Sequence, residues 1–263
     1  MLQAAFNYMT PMSEQPFYYQ VRPPEGTPVT NVDVQSVSTE VHDARDLVDA
    51  PSLDREGYSL TEHVTAVGDL RDHDRIRAEY YPEMEALVAE ATGAGRVVAF
   101  DHNVRRGDVK RQSRELRPPV PLAHNDYTID SGPQRVRDLM GKEAADLLRG
   151  RVAVINVWKP IVGPVRSMPL AVCQATTMSQ QDFVATELRY ADRTGEIYSV
   201  THRDTHRWYY YSAMTEREAM LLKCYDSDPS VSRFTAHSAF ADPTTPDDAS
   251  PRESIEVRTL AFF

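Results

Sequence analysis

The sequence predicts a mainly β protein, a sandwich or barrel with flanking helices. Its second half contains several short runs rich in β-branched and aromatic residues, and turn signals separate these runs. The composition, with 41% hydrophobic and 26% charged residues, is typical of a globular protein. All-β domains commonly reach the length of this chain, 263 residues. We therefore expect one domain over residues 1–263.

The first part of the chain differs in composition from the rest. Residues 1–70 are rich in proline, aspartate and threonine, and Pro23 and Pro24 begin a clear turn. Short strands are expected over 17–21 and 31–37. We interpret residues 1–70 as an N-terminal arm over a core of helices and strands formed by residues 75–263.

Two helices are expected within this core. Apolar residues recur at three- and four-residue spacing over 78–91, and Gly93 follows as a stop. A second helix is expected over 134–148, closed by Gly150. Strands are expected over 96–100, 151–158 (bounded by Pro160), 169–175, 221–225, 234–240 and 252–263, with a hairpin formed by 197–201 and 207–214.

Charge and cysteine content restrict the class of partner. The net charge of −10 argues against binding to nucleic acids or anionic membranes, because both need a basic face. The start of the chain lacks the pattern of a signal peptide, and no apolar run is long enough to span a bilayer. Cys173 and Cys224 are expected to be reduced and buried. We expect a cytoplasmic protein with a small-molecule substrate, and a homodimer or a partner enzyme stays open.

A histidine and an aspartate two residues apart occur twice, at His124/Asp126 and at His202/Asp204. Prolines precede the first pair and favour extended backbone, on which side chains two residues apart face the same side. His124 and Asp126 could then hold one metal ion, with His237 as a distant third ligand. Two imidazoles and one carboxylate on one face suit Fe(II) with open positions. The second pair lies in the expected hairpin connection, so we assign it to a polar turn.

The last predicted strand carries a candidate anion site. Arg252 and Ser254 face the same way on it, and a guanidinium matches a carboxylate with two parallel hydrogen bonds. Arg258 lies on the same face and is the alternative anchor. The competing interpretation pairs both arginines with glutamates on a surface strand. Arg105 and Arg106, at the end of an earlier strand, could reach an anion, but we expect them at the surface.

Three further residues are candidates for the pocket. Asn156 interrupts an apolar run, and a buried amide needs partners, so it is either a structural hydrogen-bonding group or a cosubstrate contact. Tyr127 follows the ligand pair, and Trp158 shares a strand face with Asn156. Either aromatic residue could line the substrate pocket, although aromatic residues on strands are more often part of a core.

These features together resemble the Fe(II)/2-oxoglutarate-dependent oxygenases, whose pattern is His-x-Asp, a distant His and then Arg-x-Ser. The likeness is to the hydroxylase/desaturase group of secondary metabolism, related to cephamycin and gibberellin desaturases. It is carried by RVVAFDHNVRR (96–106), HNDY (124–127), INVWKP (155–160), HRWYY (206–210), KCYDS (223–227), HSAF (237–240) and PRESIEVR (251–258). The resemblance covers about residues 75–263 and is specific as a set.

The resemblance implies a double-stranded β-helix (a jelly roll, cupin-like) that uses Fe(II), 2-oxoglutarate and O2. It implies His124, Asp126 and His237 as the metal ligands. Arg252 with Ser254 would then bind 2-oxoglutarate. The long proline-rich loop before Arg252 departs from the family pattern and keeps Arg258 as a competitor for that role.

The implied reaction is hydroxylation or desaturation of an unactivated C–H bond in a small, secondary-metabolite substrate. The same iron site could instead serve epimerisation or ring formation, because the outcome depends on where the substrate radical lies. A non-catalytic, metal-binding partner subunit of a biosynthetic enzyme is an alternative of a different class. A Ser/His/Asp hydrolase is disfavoured, because the chain lacks Gly-x-Ser-x-Gly and an alternating β/α pattern.

Overall fold

Two β-sheets form the framework of the part of the chain that the structure, a computed structural model, describes: residues 1–109 and 116–263. The strands are β1 Leu2–Met9, β2 Phe17–Tyr19, β3 Val34–Asp43, β4 Tyr58–Glu62, β5 Arg96–Arg106, β6 His124–Asn125, β7 Val152–Val162, β8 Leu170–Cys173, β9 Phe183–Arg189, β10 Thr194–Val200, β11 Trp208–Tyr210, β12 Glu218–Asp226, β13 His237–Ala239 and β14 Glu253–Phe262. The helices are α1 His73–Arg75, α2 Tyr81–Thr92, α3 Ser131–Met140 and α4 Ala144–Leu147, with a π-helical turn at Ile76–Tyr80 and 3-10 turns at Ala44–Asp46, Gly141–Glu143, Ala175–Thr177 and Gln180–Asp182.

The order of the strands brings distant parts of the chain together. The larger sheet has nine described strands in the order β1-β3-β11-β8-β13-β6-β10-β9-β2, and the smaller has five in the order β4-β12-β7-β14-β5. The smaller sheet is antiparallel throughout, whereas the larger sheet is mixed. In the larger sheet β6 lies beside β13, and in the smaller sheet β14 lies between β7 and β5. Two packed sheets with such long-range pairings form a jelly roll, so the predicted fold class is confirmed.

The smaller sheet is buried on both faces. Alternate side chains of β7 point to opposite sides, so that Val154 and Trp158 pack between the two sheets while Ile155 and Val157 pack under α2. This double burial explains why β7 has an apolar run without alternation. Any polar side chain on the inner face of this sheet is therefore placed in a largely dry environment.

The helix predicted over 78–91 is confirmed as the π-helical turn followed by α2. Met84 and Val88 are fully buried against the smaller sheet, and Gly93 ends the helix with φ +72°, a conformation that glycine adopts without steric cost. The single helix predicted over 134–148 is wrong. Gly141, with φ +54° and ψ −118°, separates α3 from a 3-10 turn and α4, because those angles cannot continue a helix.

The predicted hairpin of 197–201 with 207–214 is also wrong. β10 pairs with β9 and β6, whereas β11 pairs with β3 and β8. The sequence analysis missed β9, which is the true hairpin partner of β10. An alternating pattern predicts that a segment is a strand, but the packing of the whole sheet selects the partner.

The strand predicted over 151–158 continues past its expected boundary at Pro160. β7 runs to Val162, whereas its pairing with β12 ends at Trp158. The proline therefore lies beyond the ladder with β12, where its missing N–H leaves no hydrogen bond unmade on that side.

Residues 1–70 supply strands to both sheets. β1 and β3 form one edge of the larger sheet, β2 forms its other edge, and β4 is an edge of the smaller sheet. Phe6 of β1 is buried and stacks on Trp208 with ring centroids 4.4 Å apart. The strands expected over 17–21 and 31–37 are present with shifted bounds, as β2 and β3.

Two further expectations can be compared with the structure. Cys173 and Cys224 are both free and buried, as predicted. Within the described ranges, none of the helices has the length and apolarity that crossing a membrane requires.

Candidate functional site

Two neighbouring strands of the larger sheet bring together the residues that the sequence predicted as metal ligands. His124 in β6 and His237 in β13 are directly paired across the antiparallel ladder, and their ring centroids are 4.4 Å apart. One ligand atom from each of His124, Asp126 and His237 lies within 4.8 Å of the others. The two segments are distant in sequence, so only the strand order of the sheet could make them neighbours.

Backbone carbonyls orient both imidazoles. Nδ1 of His124 lies 2.7 Å from the carbonyl oxygen of Leu122, and Nδ1 of His237 lies 3.0 Å from that of Thr235. A carbonyl oxygen can only accept, so Nδ1 carries the hydrogen in each ring and the Nε2 lone pair is free to bind a metal. Burial, followed by the nearby His237, lowers the pKa of His124 to about 4, so that this imidazole is neutral at pH 7.

The Asp126 carboxylate connects the two sheets. Its Oδ2 accepts hydrogen bonds from Nδ2 of Asn156 at 2.8 Å and from Nε of Arg258 at 2.9 Å, both on the inner face of the smaller sheet. Oδ1 lies on the other side, 3.6 Å from Nε2 of His124. Burial alone would raise the pKa of Asp126, but the charges of Arg258 and the imidazoles outweigh it and hold this pKa below its usual range.

The guanidinium of Arg258 contacts three carboxylates. Besides Asp126 it contacts Asp101 at 2.8 Å and Glu256 at 3.2 Å. Glu256 is buried, also accepts a hydrogen bond from Asn156 at 3.3 Å, and was missed by the sequence analysis. Its position between Ser254 and Arg258 at a spacing of two was a sufficient signal, because all three share one strand face.

Arg252 and Ser254 lie toward the other end of the same face. They are 3% and 1% exposed, respectively. Arg252 donates to the carbonyl oxygen of Met168, and its guanidinium lies 5.5 Å from the ring centroid of Trp158. Nε of Arg252 and Oγ of Ser254 have no hydrogen-bond partner among the described residues. Burial is the main cause that lowers the pKa of Arg252 to about 9.

The residues at this end fit an anionic ligand. The buried Nε of Arg252 and Oγ of Ser254 have no partner among the described residues, which is costly, and a carboxylate would satisfy both. The donor set at the other end, two imidazoles and one carboxylate, fits a ferrous ion and leaves coordination positions for further ligands.

The other residues that the sequence analysis considered for a site differ in burial and in hydrogen-bond partners. Tyr127 and Trp158 are buried in the core between the sheets, and burial raises the pKa of Tyr127 to about 12. Oδ1 of Asn156 is buried and has no partner in the described part of the chain. At the second His-x-Asp sequence, His202 and Asp204 lie in a turn, and the Asp204 side chain is exposed.

Known proteins resemble this chain over most of its length. A family model described as Oxidoreductase/YMDC permease-like domain matches residues 6–262. The Fe(II)/2-oxoglutarate-dependent dioxygenase nvfI of Aspergillus novofumigatus is 32% identical over 257 residues, which cover 95% of this chain and 92% of the relative. The hydroxylase/desaturase poxK of Penicillium oxalicum is 30% identical over 273 residues, which cover 91% and 83%, respectively.

Solved structures agree with these relatives. The iron and alpha-ketoglutarate-dependent endoperoxidase NvfI superposes with a TM-score of 0.88 at 29% sequence identity, covering 99% of this chain and 97% of that protein. The likeness therefore extends over the whole jelly roll.

Proposed function

The chain belongs to the Oxidoreductase/YMDC permease-like family and, with its relatives, to the Fe(II)/2-oxoglutarate-dependent dioxygenases, and from this premise we propose that His124, Asp126 and His237 hold its iron. The enzyme uses Fe(II), 2-oxoglutarate and O2, acts on a small molecule and has the hydroxylase/desaturase type of activity found in secondary metabolism. The observation that carries the assignment of the ligands is the convergence of these three side chains, with both Nε2 atoms free.

We propose that the two ends of the inner face of β14 have different roles: one supports the metal ligand Asp126, and the other binds 2-oxoglutarate. Arg258 and Asn156 hold Oδ2 of Asp126, which leaves Oδ1 as the single oxygen offered to the metal. Arg252 and Ser254 bind the distal carboxylate of 2-oxoglutarate through their unpartnered Nε and Oγ. When bound, iron, 2-oxoglutarate and O2 together supply an oxidant strong enough to remove hydrogen from an unactivated C–H bond.

The chain's own contribution to this reaction is binding, orientation and exclusion of water. Backbone carbonyls accept hydrogen bonds from Nδ1 of His124 and Nδ1 of His237, and this fixes the rotation of both rings with Nε2 available to the metal. Trp158 forms an apolar surface under Arg252, and Tyr127 closes the core beside Asp126. We propose that both aromatic residues shape the substrate pocket, and Asn156 has one free oxygen, Oδ1, for a cosubstrate contact.

The direct test is an anaerobic titration of the protein with Fe(II) and then 2-oxoglutarate, followed through the weak visible absorption band of the metal chelate. The wild-type protein should develop the band, and His124→Ala should not, while its circular dichroism stays that of the wild type. A His124→Ala protein that develops the band with unchanged affinity would show that the iron lies elsewhere.

Two outcomes of the reaction deserve separate tests. Hydroxylation or desaturation is our first proposal, and the fold likeness to an endoperoxidase favours ring formation as the second. Product analysis with O2 labelled by heavy oxygen separates them, because an endoperoxide keeps both oxygen atoms of one molecule. A non-catalytic partner subunit would bind iron and 2-oxoglutarate but release no succinate with any substrate.

We also propose that the protein acts in the cytoplasm. Its two cysteines, Cys173 and Cys224, are free and buried, as is usual for proteins of a reducing compartment. Fractionation of cells that express the tagged full-length chain tests this location.

A further inference from the structure

A second arginine without an ion pair lies on the inner face of the smaller sheet, beside the anion site. Arg105 of β5 is directly opposite Ser254 of β14 in the antiparallel ladder, so both side chains point to the same face. Its Nη1 donates to the carbonyl oxygen of Pro118 at 2.9 Å. Over residues 1–109 and 116–263, no carboxylate forms an ion pair with this guanidinium. Arg105 is half-buried rather than on the open surface expected from the sequence, because β14 and the segment at Pro118 cover this end of β5, whereas Arg106 is exposed as expected.

The charge of Arg105 affects the neighbouring anion site. After burial, it is the main cause of the low pKa of Arg252. Burial lowers the pKa of Arg105 itself, and Glu256 partly opposes that effect. The guanidinium is therefore close enough to Arg252 for the two positive charges to repel each other.

The adjacent arginine on the same strand provides an internal comparison. The side chain of Arg106 is 45% exposed, pairs with Asp108 at 2.8 Å and approaches Glu253 at 3.8 Å. Arg258, on the inner face, has three carboxylates around it. Arg105 shares the inner face with Arg258, but no carboxylate of the described residues forms an ion pair with it. A half-buried cation without an anion is unfavourable unless a ligand supplies the missing charge.

We propose that Arg105 is a second carboxylate-binding residue of the pocket, in addition to Arg252. This inference rests on the proposed function, since it assigns a further contact in the same site. The carboxylate has two potential sources: the oxo-acid end of 2-oxoglutarate, which would bind next to the metal, or an acidic group of the substrate. In both cases the guanidinium donates two parallel hydrogen bonds to it.

The first arm of the test measures binding of the cosubstrate. The Fe(II)-loaded, full-length protein is titrated anaerobically by calorimetry with 2-oxoglutarate and with 2-oxopentanoate, which has the oxo-acid end but no distal carboxylate. If Arg105 binds the oxo-acid end, Arg105→Gln should weaken binding of both acids roughly tenfold or more. Arg252→Gln should weaken only 2-oxoglutarate. Arg106→Gln, the matched control, should match the wild type.

The second arm measures binding of an acidic substrate group. With 2-oxoglutarate saturating, the protein is titrated with cyclohexanecarboxylate and with cyclohexanecarboxamide as neutral counterpart. If Arg105 binds the substrate, the wild type should prefer the acid over the amide, and Arg105→Gln should lose this preference. Arg105→Lys keeps the charge without the planar fork and should give intermediate constants in whichever arm responds. It also serves as the measurable variant if Arg105→Gln does not fold.

The inference is wrong if two results occur together. The first is that both oxo acids bind to the Arg105→Gln and Arg105→Lys variants as tightly as to the wild type. The second is that these variants keep whatever preference the wild type has for the acid over the amide. A failure of the proposed function is different, because the wild-type protein itself would then show no Fe(II)-dependent binding of 2-oxoglutarate.

Discussion

The arginines at the two ends of the inner face of β14 differ in the charged groups that surround them. At one end Arg258 is surrounded by the carboxylates of Asp126, Asp101 and Glu256. At the other end Arg252 is just as deeply placed, yet its described contacts are a backbone carbonyl and an aromatic ring, and its Nε has no partner among the described residues. Arg258 lies in β14 and Arg252 directly precedes this strand, on the same face, so a pattern of alternating residues cannot distinguish them.

The difference indicates two kinds of task. A buried arginine with its charge neutralised by the protein holds something in place, and here it holds the predicted metal carboxylate. A buried arginine without such a partner is unfavourable by several kcal/mol and is tolerated where a ligand brings the anion. The comparison therefore favours Arg252 over Arg258 as the anchor of 2-oxoglutarate.

The largest effect is expected at the metal ligands themselves. His237→Ala removes one of three ligands, and we expect Fe(II) affinity to fall by roughly 100-fold or more, beyond the loss usual for residues that only support a ligand. Anaerobic titration with Fe(II) measures it. His202→Ala, in the second His-x-Asp sequence, is the control and should bind Fe(II) as the wild type does. Equal damage from both substitutions would contradict the assignment of the centre.

The next effect concerns the end of β14 without an ion pair. Arg252→Gln removes the guanidinium that would bind the distal carboxylate, and the dissociation constant of 2-oxoglutarate should rise roughly 10- to 100-fold. Affinity for Fe(II) should stay the same. Arg96→Gln, at an exposed position, is the control. Unchanged binding of 2-oxoglutarate by Arg252→Gln would remove the basis of the comparison.

A smaller and different effect is expected at the paired end. Arg258→Gln removes a support of Asp126, and we expect Fe(II) affinity to fall roughly tenfold. Binding of 2-oxoglutarate, measured at saturating Fe(II), should change less than in Arg252→Gln. The reverse order of the two variants would exchange the roles of the two arginines.

The smallest effect lies on the outer face of the same sheet, at His102 of β5. Its Nε2 is 2.6 Å from Nδ1 of His73, and its Nδ1 is 2.8 Å from the hydroxyl of Tyr81. Burial, followed by His73, lowers the pKa of His102 to about 4 from 6.5. As the pH falls through this window, the unfolded chain binds a proton that the folded chain does not, so the free energy of unfolding decreases.

Thermal unfolding of the metal-free protein at pH 7 and pH 5 measures this contribution. The midpoint should be lower at pH 5, and His102→Gln should reduce the difference between the two pH values by about a few degrees. His42→Gln, in β3, is the control. If the midpoint changes by the same amount between pH 7 and pH 5 in His102→Gln and in the wild type, the sensitivity to acid arises from other groups, such as those on the inner face of the sheet.

Much of the site could be predicted, because the side of a strand to which a residue points depends only on its position along that strand. Alternation on an extended segment places His124 and Asp126 on one side, and the same rule aligns Arg252 and Ser254. The role of Arg258 could not be predicted in this way, because it depends on Asp126, which the opposite sheet supplies. Arg105 was assigned to the surface for a similar reason, since the burial of a strand end depends on which segments cover it.

The sequence by itself determined the chemistry of the donors, the β character of the core and the spacing that puts pairs of side chains on one face. These properties follow from residue type and from the two-residue period of a strand. Only the tertiary structure decided that β6 lies beside β13, that β10 pairs with β9 rather than β11, and that Arg252 has no ion pair with any described residue. Those outcomes depend on strand pairing and burial across the whole molecule, and neighbouring residues in the chain do not encode them.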